Sequence, residues 1–243
     1  MTSPSGKVFL TNPFVVNPFS PVTVKDFKKV DYILVADGHG DEIGQTARIA
    51  FKTKAKIFTT FTLSRGYFEP RKIPARQIIR VGPGSRVRVG GITVRAVTAV
   101  HGSTTREGLS DASAMGFFIT FENGLTVYFA GSTALTMDMM LWGRLYKPHV
   151  AILPLGTKSD PRDVVEMVKL LRTDNPNLKT IIPHHHNTGL KVRPGIPPKR
   201  AKGILRRFNS GTKPADLAAA LNASALPVKM IDPELGKVYI LTK

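Results

Sequence analysis

The chain has no cysteine, which excludes disulfides and thiolate-held zinc. It also lacks an apolar run of membrane-spanning length and a signal-peptide core at its amino end, so a cytoplasmic protein with no membrane partner is expected. Acids are scarce: 17 Asp plus Glu stand against 35 Lys plus Arg, a formal net charge of +18. Residues 43–106 hold thirteen bases and one acid, Glu69, and residues 191–215 hold eight bases and no acid. These two stretches therefore carry 21 of the 35 bases and 1 of the 17 acids, which leaves 14 bases against 16 acids elsewhere. The excess charge is confined to them.

What is present suits a single domain over 1–243, because 243 residues with 42% hydrophobic content can bury a sizeable core. Apolar periodicity predicts strands at 32–36, 56–60, 86–89, 93–100, 116–121, 126–130, 150–154, 180–183 and 238–242, and helices at 41–51, 137–146, 163–172 and 215–221. Glu122-Asn123-Gly124, between two apolar runs, is a hairpin signal. Strands early and alternating helices and strands later suit two sheets flanked by helices.

The strand at 32–36 runs into Asp37-Gly38-His39-Gly40-Asp41-Glu42. The two glycines permit a tight turn on which Asp37, His39, Asp41 and Glu42 converge. Imidazole and carboxylate suit zinc, iron or manganese, and two such ions can polarise a substrate and activate water. A second reading is a polar turn, with His39 and Asp41 capping a helix that begins near Glu42.

The hexapeptide resembles the His-x-His-x-Asp-His signature of the metallo-β-lactamase superfamily, with Asp37 and Glu42 in place of the first and last histidines. Four further segments follow in the family's order. Ala99-Val100-His101-Gly102-Ser103 resembles the strand end that presents a lone histidine, and Val127-Tyr128-Phe129-Ala130-Gly131-Ser132-Thr133 resembles the strand and Gly-Asp-Thr turn, with Ser132 at the position of the bridging aspartate. Val150-Ala151-Ile152-Leu153-Pro154-Leu155-Gly156 is similar to the next strand. Ile181-Ile182-Pro183-His184-His185-His186-Asn187-Thr188 resembles the Ile-Pro-x-His-Tyr-Asn-Thr turn, which makes His185 the matching ligand and leaves His184 and His186 as ordinary turn residues. The resemblance covers 7–188 and is closest to the uncharacterised metal-dependent hydrolases related to the L-ascorbate 6-phosphate lactonases. Their Ile-Leu-Ile-Asp-Pro-Trp segment is matched by Lys7-Val8-Phe9-Leu10-Thr11-Asn12-Pro13-Phe14, with Asn12 in place of the aspartate. An α/β fold follows, an αββα sandwich lacking the family's usual first hairpin with its Gly-His turn.

The resemblance also implies two ligand sets: Asp37, His39 and His101 for one ion, and Asp41, Glu42 and His185 for the other. Carboxylates are adequate ligands, but a neutral hydroxyl at Ser132 neither balances two cations nor fixes their separation. The site is therefore read as vestigial or as holding one zinc or other divalent ion, with no residue assigned to catalysis.

With catalysis discounted, the confined charge points to a polyanion. The 191–215 stretch reads as a basic Pro/Gly-rich insertion or arm that folds on RNA, with arginine forking onto phosphates and Phe208 stacking. Its plainer reading is a solvated loop. The expectation is a non-catalytic RNA-binding protein, associated with the ribosome through ribosomal RNA and ribosomal proteins. Arg48, Lys52, Lys54, Lys56, Arg71, Lys72, Arg76, Arg86, Arg88, Lys191, Arg193, Lys199, Arg200, Lys202, Arg206 and Arg207 would make its contacts. Two alternatives stand beside it: a divalent-metal hydrolase of an anionic substrate, either phosphodiester or phosphorylated lactone, and a scaffold that docks on an acidic partner.

Overall fold

Side chains that alternate between two apolar surroundings place each sheet between a helical layer and the other sheet. The computed structural model describes residues 1–111, 113–156, 159–186, 191–208 and 211–243. In and just after β2 (Tyr32–Leu34), Ile33 and Val35 join an outer cluster with Ile49, Ala50, Leu63 and Phe68. Leu34 and Ala36 point the other way, into the cluster between the sheets. The same alternation in β7 (Ala114–Thr120) sends Phe117 and Ile119 inward and Phe118 outward.

The smaller sheet is parallel, in the order β1 (Phe9–Thr11), β2, β3 (Lys56–Thr59), β4 (Ile78–Arg80). The larger has seven strands: β5 (Arg86–Val89), β6 (Ile92–Ala99), β7 and β8 (Thr126–Phe129) pair antiparallel, and β9 (Val150–Pro154), β10 (Thr180–His184) and β11 (Lys229–Met230) continue parallel from β8. On its outer face Phe118, Tyr128, Ala151 and Leu153 meet α4 (Asp138–Tyr146), α5 (Pro161–Leu171) and α7 (Pro214–Ala223) through Trp142, Val168 and Leu217. The fold is an αββα sandwich of the metallo-β-lactamase type.

Several local expectations are corrected. The helix expected at 41–51 is divided into α1 (Gly40–Ile43) and α2 (Thr46–Thr53). Gly44 separates them with φ +51°, and a side chain there would collide with the Pro13 carbonyl. A short hairpin stands at the amino end, with Thr2 bridged antiparallel to Val8 and Gly6 donating to the Ser3 carbonyl at 2.9 Å. The expected lack of a first hairpin thus holds for the Gly-His turn, since Pro4, Ser5 and Gly6 make this one. Residues 238–242 join neither sheet, because alternation without a partner strand makes no ladder; Val238 and Ile240 are 88% and 90% exposed. The basic stretch contains α6 (Pro198–Phe208), which starts on a proline suited to a first helical position. β1, β4 and β11, along with the helical turns at Phe61–Leu63 (α3) and Ser64–Phe68, are additions to the expected elements.

Candidate metal centre

β2 ends against the loop that follows β6, and the two together form the centre. Asn12 fixes the exit of β2: its Oδ1 accepts from Ala36 N at 3.0 Å, and its own φ of 43° is one that asparagine tolerates. The replacement of the family's aspartate here keeps a hydrogen-bond acceptor. Beyond Ala36 the chain turns, and Ser103 Oγ accepts from Gly38 N at 2.9 Å, joining the 37–42 turn to the loop that carries His101.

Asp37 is fully buried. Its Oδ1 accepts from His39 N at 2.8 Å and lies 2.9 Å from His39 Nδ1, while Oδ2 lies 3.8 Å from His101 Nε2. The ligating atoms of Asp37, His39 and His101 all fall within 4.8 Å of one another. Asp37 Oδ2 is closed off from solvent and has no hydrogen-bond partner. Burial raises the carboxyl's pKa, against the opposing pull of hydrogen bonding from His39. A buried carboxylate oxygen without a partner costs stability, and a cation between it and the two imidazoles would remove that cost. The donor set fits a divalent ion.

The other candidates stand beside this trio in a different arrangement. His185 takes a left-handed φ of 64° and places Nε2 3.5 Å from Asp41 Oδ2 and 3.9 Å from Glu42 Oε1. That hydrogen bond lowers the Asp41 pKa and raises that of His185. Glu42 is buried and accepts a hydrogen bond from Ser132 Oγ at 2.5 Å. Burial first, and the Asp37 charge second, push its pKa up to about 8, so it is largely neutral at pH 7. Ser132, expected at the position of the family's bridging aspartate, is here a donor to Glu42.

His184 is the last residue of β10, contrary to its reading as a turn residue; its Nε2 is buried, and burial depresses its pKa to about 3. Asn187 and Thr188 of the last motif lie outside the described residues, as do the side chains of Arg207 and Phe208. Ser103 and Arg106 were not singled out as site residues. Ser103 bonds to the 37–42 turn, and a methyl group at Gly40 would lie 3.0 Å from Arg106 Nε. Ser103 closes the matched segment Ala99 to Ser103, which is the only signal that the sequence held for it.

The basic residues named for RNA do not gather on one element. Arg48 and Lys52 lie on α2, Lys54 caps it, Lys56 begins β3, and Arg86 and Arg88 lie on β5. Some are engaged within the chain: Arg71 pairs with Glu107 at 2.6 Å and lies 3.6 Å over the Tyr67 ring, and Lys52 Nζ donates to the Lys25 carbonyl at 2.7 Å. Among the described residues no helix is long and apolar enough to cross a membrane.

The family described as "Beta-lactamase superfamily domain" matches residues 2–186. A "UPF0173 metal-dependent hydrolase" of Caldivirga maquilingensis is 36% identical over 191 residues, 77% of this chain and 78% of the relative. A protein of the same description from Pyrobaculum aerophilum is 33% identical over 224 residues, 89% of this chain and 94% of the relative. A solved metallo hydrolase from Ignicoccus hospitalis matches with a TM-score of 0.75 at 23% identity, covering 97% of this chain and 91% of its own, a likeness of fold alone.

These relatives overturn the reading of the chain as a non-catalytic, ribosome-associated RNA-binding protein: over most of its length it is similar to proteins named as metal-dependent hydrolases. Net charge does not identify the partner, for a physical reason. A positive field draws in any anion, and it distinguishes neither a large partner from a small substrate nor binding from cleavage.

Proposed function

We propose, from the premise that the chain belongs to the β-lactamase superfamily, that it is a hydrolase that uses one divalent metal ion and acts on a small anionic substrate, either a phosphodiester or a phosphorylated lactone. The observation that carries this reading is the Asp37 carboxylate, whose buried Oδ2 has no hydrogen-bond partner and lies 3.8 Å from His101 Nε2 while Oδ1 lies 2.9 Å from His39 Nδ1. Asp37, His39 and His101 would hold the ion. When bound, it supplies Lewis acidity at a substrate oxygen and lowers the pKa of water beside it.

The chain's own groups do the remainder. Ser103 fixes the turn through Gly38 N, so that the ligands are held before any substrate arrives. Asp41, with a half-exposed side chain, and His185 stand 3.5 Å apart on the open side, where a carboxylate and an imidazole can exchange a proton with reactants. Glu42 and Ser132 are turned on each other and fill the region of the family's second ion with a neutral pair. Metal-free protein should gain hydrolysis of a phosphodiester or lactone on addition of zinc, manganese or iron(II), read against a chelator control. Absence of both metal uptake and turnover would reject the assignment.

A further inference from the structure

The loop between β6 and β7 does more than deliver His101. It doubles back on itself, with Thr104 bridged to Ser110 and Thr105 N donating to the Leu109 carbonyl at 2.9 Å. Arg106 and Glu107 therefore sit at the tip of a tight turn. The loop is held at several points: Thr60 Oγ1 donates to Asp111 Oδ2 at 2.5 Å, Arg71 pairs with Glu107 at 2.6 Å, and Leu109 packs so closely on Gly66 that a side chain there would clash with it. This anchoring makes the tip a fixed platform.

Arg106 is the member of that tip without an assigned partner. Its neighbour Glu107 is taken by Arg71, and Arg106 itself has no ion pair among the described residues. Its guanidinium end lies against Gly40, in the turn that carries His39 and Asp41: a methyl group there would lie 3.0 Å from Nε and 3.6 Å from Cζ. Together with Gly38, Gly40, Gln45, Tyr67 and Thr105 it lines a cleft of about 210 Å³. An exposed, positioned and uncompensated guanidinium beside a cation site is a fork for an oxyanion.

We infer that Arg106 is a specificity-determining residue that binds an anionic group, phosphate or carboxylate, carried by the substrate next to its scissile bond. This inference rests on the hydrolase reading for the word substrate, and not for the anion site itself. Removing one charge-assisted fork costs roughly tenfold to a hundredfold in affinity.

The test titrates inorganic phosphate and, in parallel, succinate into the full-length metal-free protein and reads the dissociation constants by calorimetry. Arg106→Ala should weaken the tighter-binding anion at least tenfold and Arg106→Lys should weaken it less, while Lys72→Ala, removing an exposed base elsewhere, should leave it unchanged. The anion that binds more tightly names the group. Undetectable binding by the native chain, or equal weakening by Arg106→Ala and Lys72→Ala, would overturn the proposal. In zinc-loaded protein, Arg106→Ala should lower kcat/KM for 4-nitrophenyl hemisuccinate and spare 4-nitrophenyl acetate; an equal loss on both would also overturn it. Failure of the hydrolase reading would appear separately, as intact anion binding without metal uptake or turnover.

Discussion

The two halves of the 37–42 turn hold the same kinds of side chain and end in different electrical states. Asp37, His39 and His101 bring their ligating atoms within 4.8 Å of one another and leave a buried carboxylate oxygen without a partner. In the other half Asp41 is satisfied by His185 at 3.5 Å and Glu42 by Ser132 at 2.5 Å. Glu42 Oε2 also lacks a partner, but with its pKa near 8 that carboxyl is largely neutral at pH 7. Ligand type alone therefore does not define a cation site. What defines it is the charge left over once the chain has satisfied its own groups.

The most direct way to break this contrast is to remove a ligand from each half. His101→Ala or Asp37→Asn should weaken zinc binding roughly a thousandfold, about 4 kcal/mol, in competition with a fluorescent chelator, whereas His185→Ala should change it only a few-fold. Equal losses in the two halves would erase the distinction. Ser132→Asp attacks from the other side, by adding a carboxylate beside Asp37 and Glu42. It should destabilise the metal-free protein by about 3 kcal/mol, recovered with zinc, and raise the uptake to a second ion.

Stability against pH sharpens the same comparison. The folded pKa of Glu42, about 8, lies above its ordinary 4.5, so between these values the folded chain holds more protons than the unfolded one. The metal-free protein should accordingly lose stability as pH rises from about 5 to about 8, on the order of 2 kcal/mol in urea titrations. The upward shifts of Asp37 and His185 act in the same direction. Glu42→Gln should flatten the slope, and an unchanged slope would rule out Glu42 as its source. The smallest effect is expected at the platform: Arg71→Ala removes an exposed ion pair and a ring contact, and should cost about 0.5–1 kcal/mol in thermal melts.

The sandwich and the 37–42 turn were legible because they rest on local patterns. The alternation of Ile33, Leu34 and Val35 reports two buried faces, and the spacing of Asp37, His39, Asp41 and Glu42 is set by two glycines. The state of the site was not legible. Glu42 is held by Ser132, 90 positions away, and kept protonated by burial and the Asp37 charge, and the oxygen that Asp37 leaves open is visible only once the loop from β6 is folded over it. The same distance hid Arg106, which looked like one more base among thirteen. Net charge misled because it sums residues that the fold separates: Arg71 is engaged by Glu107, and Arg106 is left free of any ion pair among the described residues.

The number of ions that the native chain holds is the most direct test of this contrast. Metal-free protein dialysed against zinc and analysed by elemental mass spectrometry, with the ion located by anomalous diffraction, should contain one ion per chain, at Asp37, His39 and His101. Two ions per chain, or one seated at Asp41, Glu42 and His185 instead, would contradict it.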